Sequence, residues 1–353
     1  MSIARDALAP YVCSTNDAIT FKLVRDVSDI GDEKKSFHPE FTHQLFGDNE
    51  SIFGYRDLSI MLYYSAGRLT TYLNMSYKDK VNPKDFDGVE ADEVMSIIAE
   101  KLQPGFISNI DDFSSSLDKD KSFRPHGELI HSFTQPKTTD KDCKNATYEI
   151  YKADVSVPGF KDYHERLQTF VLWYIDAASF IDIDDERWSF FVLYEKYKSD
   201  SGSMYAIIGY ATVYAYYAYP QNLRPRISQL LVFPPFQKNG LGVELLQSIY
   251  NSYIGNPDII DITVEDPSDN FIRLRDYVDV KNCLKLKAFS KEKLLIGFSA
   301  DMVNEGKKKF KLNKVVQAKK KNKLWRGRIV GYKLQQFNEI RDGEFGKSGS
   351  FEI

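Results

Sequence analysis

What the chain has little of narrows it first. Three cysteines occur in 353 residues, Cys13, Cys143 and Cys283, and no two form a CxxC pair. Their odd number and wide spacing exclude a disulfide framework and fit a reducing compartment. No stretch reaches the ~18 continuous apolar residues of a membrane span. The opening "MSIARDALAPYVCST" lacks the apolar run of a secretory signal, so the sequons at Asn74 and Asn145 are not expected to matter. An excess of one charge is lacking too. The formal net charge of −3 gives no global field pointing to nucleic acid or membrane. The histidines, His38, His43, His126, His131 and His164, show no HExxH or other metal spacing. No GxSxG elbow is present, and no cysteine has a nucleophile's surroundings. These absences predict a soluble protein of the cytoplasm or nucleus with no metal.

What is present is a core. The length exceeds the ~250–300 residues at which one core stops growing, so two domains are the default. A hydrophobic content of 42% and an aromatic content of 14% suffice for packed cores. No repeat at solenoid or propeller spacing is found. Residues 18–150 mix strand-like runs ("AITFKLV", "SIMLYYSAG", "LTTYLNMSY") with one helix expected over Gly88–Leu102. That helix would carry Val89, Val94, Ile97, Ile98 and Leu102 on one face. An amino-terminal α/β domain, 1–155, is expected to end near 150–158, where "SVPGF" breaks the pattern.

The next segment is denser. "FKDYHERLQTFVLWYIDAASFI" reads as a helix with Tyr163, Leu167, Phe170, Tyr174 and Ala178 on one face. "RWSFFVLYEKY" and "MYAIIGYATVYAYY" read as strands joined by a "KSDSGS" hairpin. "RISQLLVF" is a third strand, followed by a glycine loop and a helix to about Ile254. "IIDITV" is a fourth strand, stopped by "EDP" because proline cannot continue a ladder. The order predicts a mixed α/β (α+β) sheet. Residues 307–328 hold eleven Lys or Arg and no acid. They read either as a solvated basic helix face or as a nuclear-import or polyanion patch. The final glycine-rich stretch reads as a frayed tail.

The loop Gln237-Lys238-Asn239-Gly240-Leu241-Gly242 lies between an apolar strand and an amphipathic helix bearing Leu241, Leu245, Ile249 and Tyr253. It lacks the lysine of a GxxxxGK[ST] loop, and Leu245 stands where a GxGxxG pattern needs glycine. A Gln-x-x-Gly-x-Gly junction instead offers amides and a helix amino terminus to an anion. Glycine there lets a pyrophosphate approach the backbone, although a plain glycine turn satisfies the same pattern.

Glu265 and Asp266 sit where a β-branched strand meets Pro267. A carboxylate at a strand's carboxyl edge, beside a desolvated pocket, suits a general base. The alternatives are solvated turn acids, or Glu265 as cap of the helix "SDNFIRLRDYV". The acidic cluster Asp176, Asp182, Asp184, Asp185 and Glu186 fails the calcium-loop pattern. Arg187 and Leu193 occupy the positions that need glycine and glutamate. An acidic wall for a cationic substrate, or a solvated loop, remains.

Several of these blocks are similar to a known family. "FKDYHERLQTFVLWYIDAASFIDIDDERWSFFVLYEKY", "GYATVYAYYAYP", "RPRISQLLVFPPFQKNGLG" and "DITVEDPSDNFIRLRDYV" resemble the type B histone acetyltransferase catalytic subunits. Those enzymes belong to the GCN5-related N-acetyltransferase superfamily. "FHPEFTHQLFGDNESIFGY" and "KADVSVPGF" extend the likeness to roughly residues 15–317. The resemblance implies the fold of that superfamily, with a mixed, mostly antiparallel sheet and a smaller amino-terminal domain. The acetyl-CoA-binding domain would span 156–290, and a short helical, basic extension with a disordered tail would span 291–353.

The resemblance also implies site residues. The backbone of Leu230, Leu231 and Val232 would hold the pantetheine arm of acetyl-CoA. Gln237, Lys238, Asn239, Gly240, Leu241, Gly242 and Val243 would hold its pyrophosphate, with Ser268 and Phe271 near the cofactor's distal end. Glu265 falls on the general base, with Asp266 and Asp176 as assisting carboxylates; relatives usually carry glutamate at the latter position. Asp48, Glu50, Trp188, Tyr214, Ala215 and Tyr216 would contact the substrate, a lysine-rich tail of histone four, and of histone three where that also binds. A WD-repeat β-propeller histone chaperone is the implied partner, and direct contact with nucleic acid is not expected. The carboxyl-terminal "KKKNKLWRGRIVGYKLQQ" departs from the family's further helical region.

Overall fold

The computed structural model describes residues 7–136, 145–199, 202–296 and 299–312. Cys143, the end of the basic run and the glycine-rich tail lie outside the described residues.

The amino-terminal strands are β1 (Val12–Ser14), β2 (Ile19–Val24), β3 (Ser51–Phe53), β4 (Tyr55–Arg56), β5 (Ser59–Ser65), β6 (Thr71–Ser76) and β7 (Asp79–Lys80). β2, β5 and β6 make a three-stranded sheet, parallel between β2 and β5 and antiparallel between β5 and β6. β1–β3 and β4–β7 are two-stranded ribbons. The remaining strands are β8 (Glu128–Pro136), β9 (Asn145–Ala153), β10 (Trp188–Ser199), β11 (Gly202–Ala218), β12 (Asn222–Val232) and β13 (Thr263–Val264). They form one sheet in the order β13-β12-β11-β10-β9-β8, antiparallel except for β12–β13. This is the mixed, mostly antiparallel architecture expected from the sequence.

A parallel pair needs a crossover, and the helix Leu241–Ile254 supplies it. Its buried stripe, Leu241, Leu245, Ile249 and Tyr253, packs on one face of the large sheet with Ile227, Ala211 and Val213. On the other face lies the aromatic segment that starts at Phe160. It is a helix over Phe160–Leu167, a 3-10 turn over Gln168–Phe170 and a helix over Val171–Tyr174, not one helix to Ile181. Side chains from elsewhere take the carbonyls that a longer helix would use: Gln44 Nε2 donates to Ala178 O at 2.9 Å and Gln229 Nε2 to Ser179 O at 3.1 Å.

This segment joins the two sheets into one core. Phe170 meets Tyr64 of β5 at 4.5 Å between ring centroids and Phe233, just past β12, at 4.4 Å. Ile19, Phe21, Leu62, Val192, Ile207, Tyr210 and Leu231 belong to the same buried cluster. The boundary expected at 150–158 therefore falls just after β9, within a continuous sheet whose β8 and β9 precede it.

Two further elements are shorter than expected. The helix read over Gly88–Leu102 covers Val94–Ala99 only. Gly88 has φ +84°, and Asp92 ties the chain extended along β3 by accepting from Phe53 N at 2.6 Å. In "IIDITV" the strand is Thr263–Val264, with Ile259 making an isolated parallel bridge to Leu223 and the buried Asp261 carboxylate ion-paired to Arg224 at 2.5 Å between them. The basic run begins in the last turn of the helix Ala300–Phe310, where Lys307, Lys308 and Lys309 suit the negative end of the helix dipole.

Candidate active site

The site is built around an irregularity in β12. In its register with β11, Thr212 faces Gln229 and Val213 faces Ile227, so Ser228 is an extra, bulged residue. The bulge shifts the alternation, so Ile227, Leu230 and Val232 all pack toward the Leu241–Ile254 helix while Leu231 packs into the opposite core. Ser228 itself is turned to Glu265: its Oγ donates to Oε2 at 2.7 Å. Arg226 Nη1 lies 3.5 Å from the other oxygen, Oε1.

Glu265 also ends the β12–β13 pairing. Its amide donates to Ile227 O at 2.9 Å, after which Asp266 turns the chain away with φ +27°. Ser268, not Glu265, caps the helix Asp269–Cys283, accepting from Phe271 N at 3.2 Å. Among the described residues, no strand then lies beside Ser228–Val232 on that side. The free edge is selective. Phe233 N donates to Ile208 O, and antiparallel alternation then turns the Leu231 backbone toward β11. The backbone groups of Leu230 and Val232 point to the open side. Val232 O already accepts from Gln237 Nε2 at 2.9 Å, which folds the loop back onto the strand.

The loop closes at Gly240, whose φ of +74° is left-handed and favours glycine. Glu244 N makes the first i→i−4 bond, to Gly240 O at 3.4 Å. The Leu241 and Gly242 amides precede it and point out along the helix axis. Gly242 has another reason to be small: a Cβ there would touch Leu274 Cδ2 at 3.4 Å, in the seam between the two long helices. Strand β8 braces the loop from outside, with Gln135 Nε2 donating to Asn239 O at 2.9 Å and His131 Nε2 3.3 Å from Glu244 Oε2. Phe271 packs partly buried beside these residues, whereas Lys238 is exposed.

The acidic residues divide by environment. Asp48, Asp176 and Asp266 are exposed. Glu50 is engaged. Its Oε1 accepts from Thr42 N at 2.6 Å and His43 N at 3.2 Å, and its Oε2 accepts from Asn16 Nδ2 at 2.8 Å. The Thr42 amide, first among these donors, holds the Glu50 carboxyl below the usual glutamate value. Glu265 does not sit in the desolvated pocket expected from the sequence, since its side chain is 42% exposed and faces Arg226.

Next to Arg226, which pairs with Tyr214 in register and lies over the Tyr216 ring at 5.6 Å, Trp188 and Tyr214 meet across β10–β11 at 4.8 Å, and Tyr214 meets Tyr216 at 4.7 Å, both edge to face. Tyr214 OH donates to Asp185 Oδ2 at 2.8 Å, and Ala215 N bonds Arg187 O. Bidentate bonding by Arg187 holds the Asp185 carboxyl well below the usual aspartate value.

Glu50, Ala177 (next to Asp176), Lys238 and Asp266 have positive φ without being glycine, as do Asp57, Leu69, Asp87 and Lys311 elsewhere.

Comparison with known proteins decides the family. Residues 11–176 match the model described as Histone acetyl transferase HAT1 N-terminus. Residues 275–320 match that of Histone acetyltransferase type B catalytic subunit, C-terminal. The Rattus norvegicus and Homo sapiens proteins named Histone acetyltransferase type B catalytic subunit are each 49% identical over 313 residues, covering 89% of this chain and 74% of theirs. The chain belongs to the type B histone acetyltransferase catalytic subunit family. A Dictyostelium discoideum protein of the same name is 39% identical over 271 residues, covering 75% of this chain and 56% of its own.

Within this family member, pattern reading missed Ser228, Arg226 and His43. Only Ser228 left a trace: Ile227 and Leu230 stand three apart where a regular strand spaces its apolar residues by two. No helix among the described residues is long and apolar enough to cross a membrane.

Proposed function

We propose that the protein transfers the acetyl group of acetyl-CoA to lysine side chains in the amino-terminal tail of newly synthesised, non-nucleosomal histone four. The observation that carries this reading is the open edge of β12. It runs about 13 Å from Ser228 to Val232, with Glu265 at one end and the Gly240 helix terminus at the other. A thioester arm laid along Leu230 and Val232 would place its phosphates at the Leu241 and Gly242 amides and its acetyl group near Glu265.

A lysine ammonium, with an unperturbed pKa of ~10.4, is no nucleophile until it loses a proton. Glu265, directly or through a water, takes that proton. The nitrogen lone pair then forms a bond to the thioester carbonyl carbon, and the oxyanion is met by strand amides. Collapse breaks the carbon–sulfur bond, the CoA thiolate leaves, and a proton returns to sulfur. Arg226 pairs with Glu265 beforehand and must yield to the substrate. Transfer is direct, in a ternary complex: no cysteine lies near the glycine loop in the sequence, and of the described cysteines the half-buried Cys13 is bonded at β3 and the buried Cys283 lies among Val280, Leu286 and Phe289. Asp48 and Asp176 draw the basic tail, more weakly as salt rises. A β-propeller histone chaperone partner and work in both cytoplasm and nucleus complete the proposal.

Mass spectrometry of tail peptides of histone four after incubation with acetyl-CoA tests it. Acetyl-lysine on those peptides supports the reading. Acetylation of small amines alone, with the peptides untouched, would replace it with a different acyltransferase activity.

A further inference from the structure

Asp176 is an exposed carboxylate, its side chain 68% accessible, yet it has a close neighbour. His43 Nε2 lies 3.1 Å from Asp176 Oδ1. Phe41 meets the imidazole edge to face at 5.9 Å, and Nδ1 lies 3.7 Å from Glu50 Oε1. The His43 amide donates to that same Glu50 oxygen. The ring thus stands between two carboxylates, Nε2 toward Asp176 and Nδ1 toward Glu50.

The wall around this contact is continuous. Glu40 N and Phe41 N both donate to Trp173 O, at 2.9 and 3.1 Å, and Tyr174 OH donates to His38 O at 3.0 Å. Gln44 takes Ala178 O on one side, and Gln229 of β12 takes Ser179 O on the other. Asp176 is therefore presented between the 38–50 segment and the strand that carries Ser228. The positive φ of Ala177, +54°, is the turn that lifts it there.

We propose that His43 is a positioning residue that aims the Asp176 carboxylate at the lysine-bearing end of the substrate cleft. The amino-terminal segment thereby sets the geometry of a carboxylate supplied by a distant loop. This rests on the acetyl-transfer reading given above. In that role His43 contributes a close contact and an orientation, and no proton of its own to the reaction.

A double-mutant cycle tests the assignment. Acetyl transfer to a lysine-rich peptide would be measured at saturating acetyl-CoA for wild type, His43→Ala, Asp176→Asn and the combined variant, with thermal melts confirming that each is folded. His43→Ala is expected to lower kcat/KM for the peptide about ten-fold, while leaving the KM for acetyl-CoA unchanged. In the Asp176→Asn background the same change should cost no more than about two-fold. His43→Gln, whose amide can donate from nearly the same place, should recover most of the loss. Losses that simply multiply, or a Gln variant as impaired as the Ala variant, overturn the proposal while leaving the acetyl-transfer reading intact. A folded wild-type protein that acetylates no amine overturns both.

Discussion

At the scale of single residues, the account rests on how Glu265 is held. Ser228 Oγ donates to it at 2.7 Å, and a hydrogen bond to a charged group is worth about 1.5–3 kcal/mol. Ser228→Ala should therefore lower kcat by about ten-fold or more, with Ser228→Thr largely restoring it and acetyl-CoA affinity unchanged in both. Equal rates for Ala and wild type in steady-state assays would remove Ser228 from the account.

His164 offers a residue-scale test of the fold. It is fully buried, with both ring nitrogens unpartnered, 4.5 Å from Phe190 and 6.2 Å from Tyr210 between ring centroids. Burial pushes its pKa down to about 3. The unfolded chain takes up a proton below about 6.5 and the folded chain does not, so stability is full above that pH and falls as pH drops toward 3. Between pH 7 and pH 5 this single group should cost about 2 kcal/mol. His164→Phe should remove that share of the pH dependence in urea titrations. An unchanged slope would mean that His164 is protonated in the folded state.

Glu265, Asp266 and the glycine loop were legible in the sequence because each is defined by near neighbours: a β-branched run before proline, and a glycine pair before an amphipathic stretch. Ser228, Arg226 and His43 were not, because their partners lie 37, 39 and 133 positions away and only strand register and packing bring them together.

At the scale of elements, glycines at close approaches are decisive. Gly209 of β11 faces Val232, and a Cβ there would lie 2.4 Å from Leu231 O and 2.9 Å from Val232 Cα. Gly209→Ala must push apart the two strands that frame the open edge. Denaturant titration should show a loss of about 1–3 kcal/mol, accompanied by weaker acetyl-CoA binding. A change under about 0.5 kcal/mol would show that β12 has slack. Gly240→Ala meets open space but must hold a left-handed backbone, which costs about 1–2 kcal/mol. The glycine motif lies at the strand-to-helix junction where the sequence places it. Gly240 serves conformation, and Gly242 lies in a helix–helix seam.

The helices read too long fail for one physical reason. Periodicity records which residues are buried, and it cannot see a side chain such as Asp92 or Gln44 capturing a backbone group. Val89 illustrates this: it fits the helical stripe but is 37% exposed, because Gly88 and Asp92 have already drawn the chain out of helix.

At the scale of the whole molecule, the two halves are interdependent. β8 and β9 precede the boundary drawn from the sequence, yet they complete the large sheet, and β8 braces the glycine loop through Gln135 and His131. Phe21, Tyr64, Phe170 and Phe233 share one core across that boundary. The full chain should therefore unfold in one transition by both tryptophan fluorescence and far-ultraviolet circular dichroism. A fragment starting at residue 156 should fail to fold. Two separated transitions, or a soluble cooperative fragment, would restore two independent domains. Length argued for two cores, but a buried aromatic segment shared by both sheets overrides that prior.

The central claim is that Glu265 removes the substrate's proton beside a cofactor lying along β12. Its most direct test is single-turnover acetyl transfer to a lysine peptide by Glu265→Gln, alongside calorimetric acetyl-CoA binding. The account predicts unchanged cofactor affinity and a rate lowered by about 10²–10⁴-fold. A wild-type rate across pH 7–9 with the cofactor bound as before would contradict it.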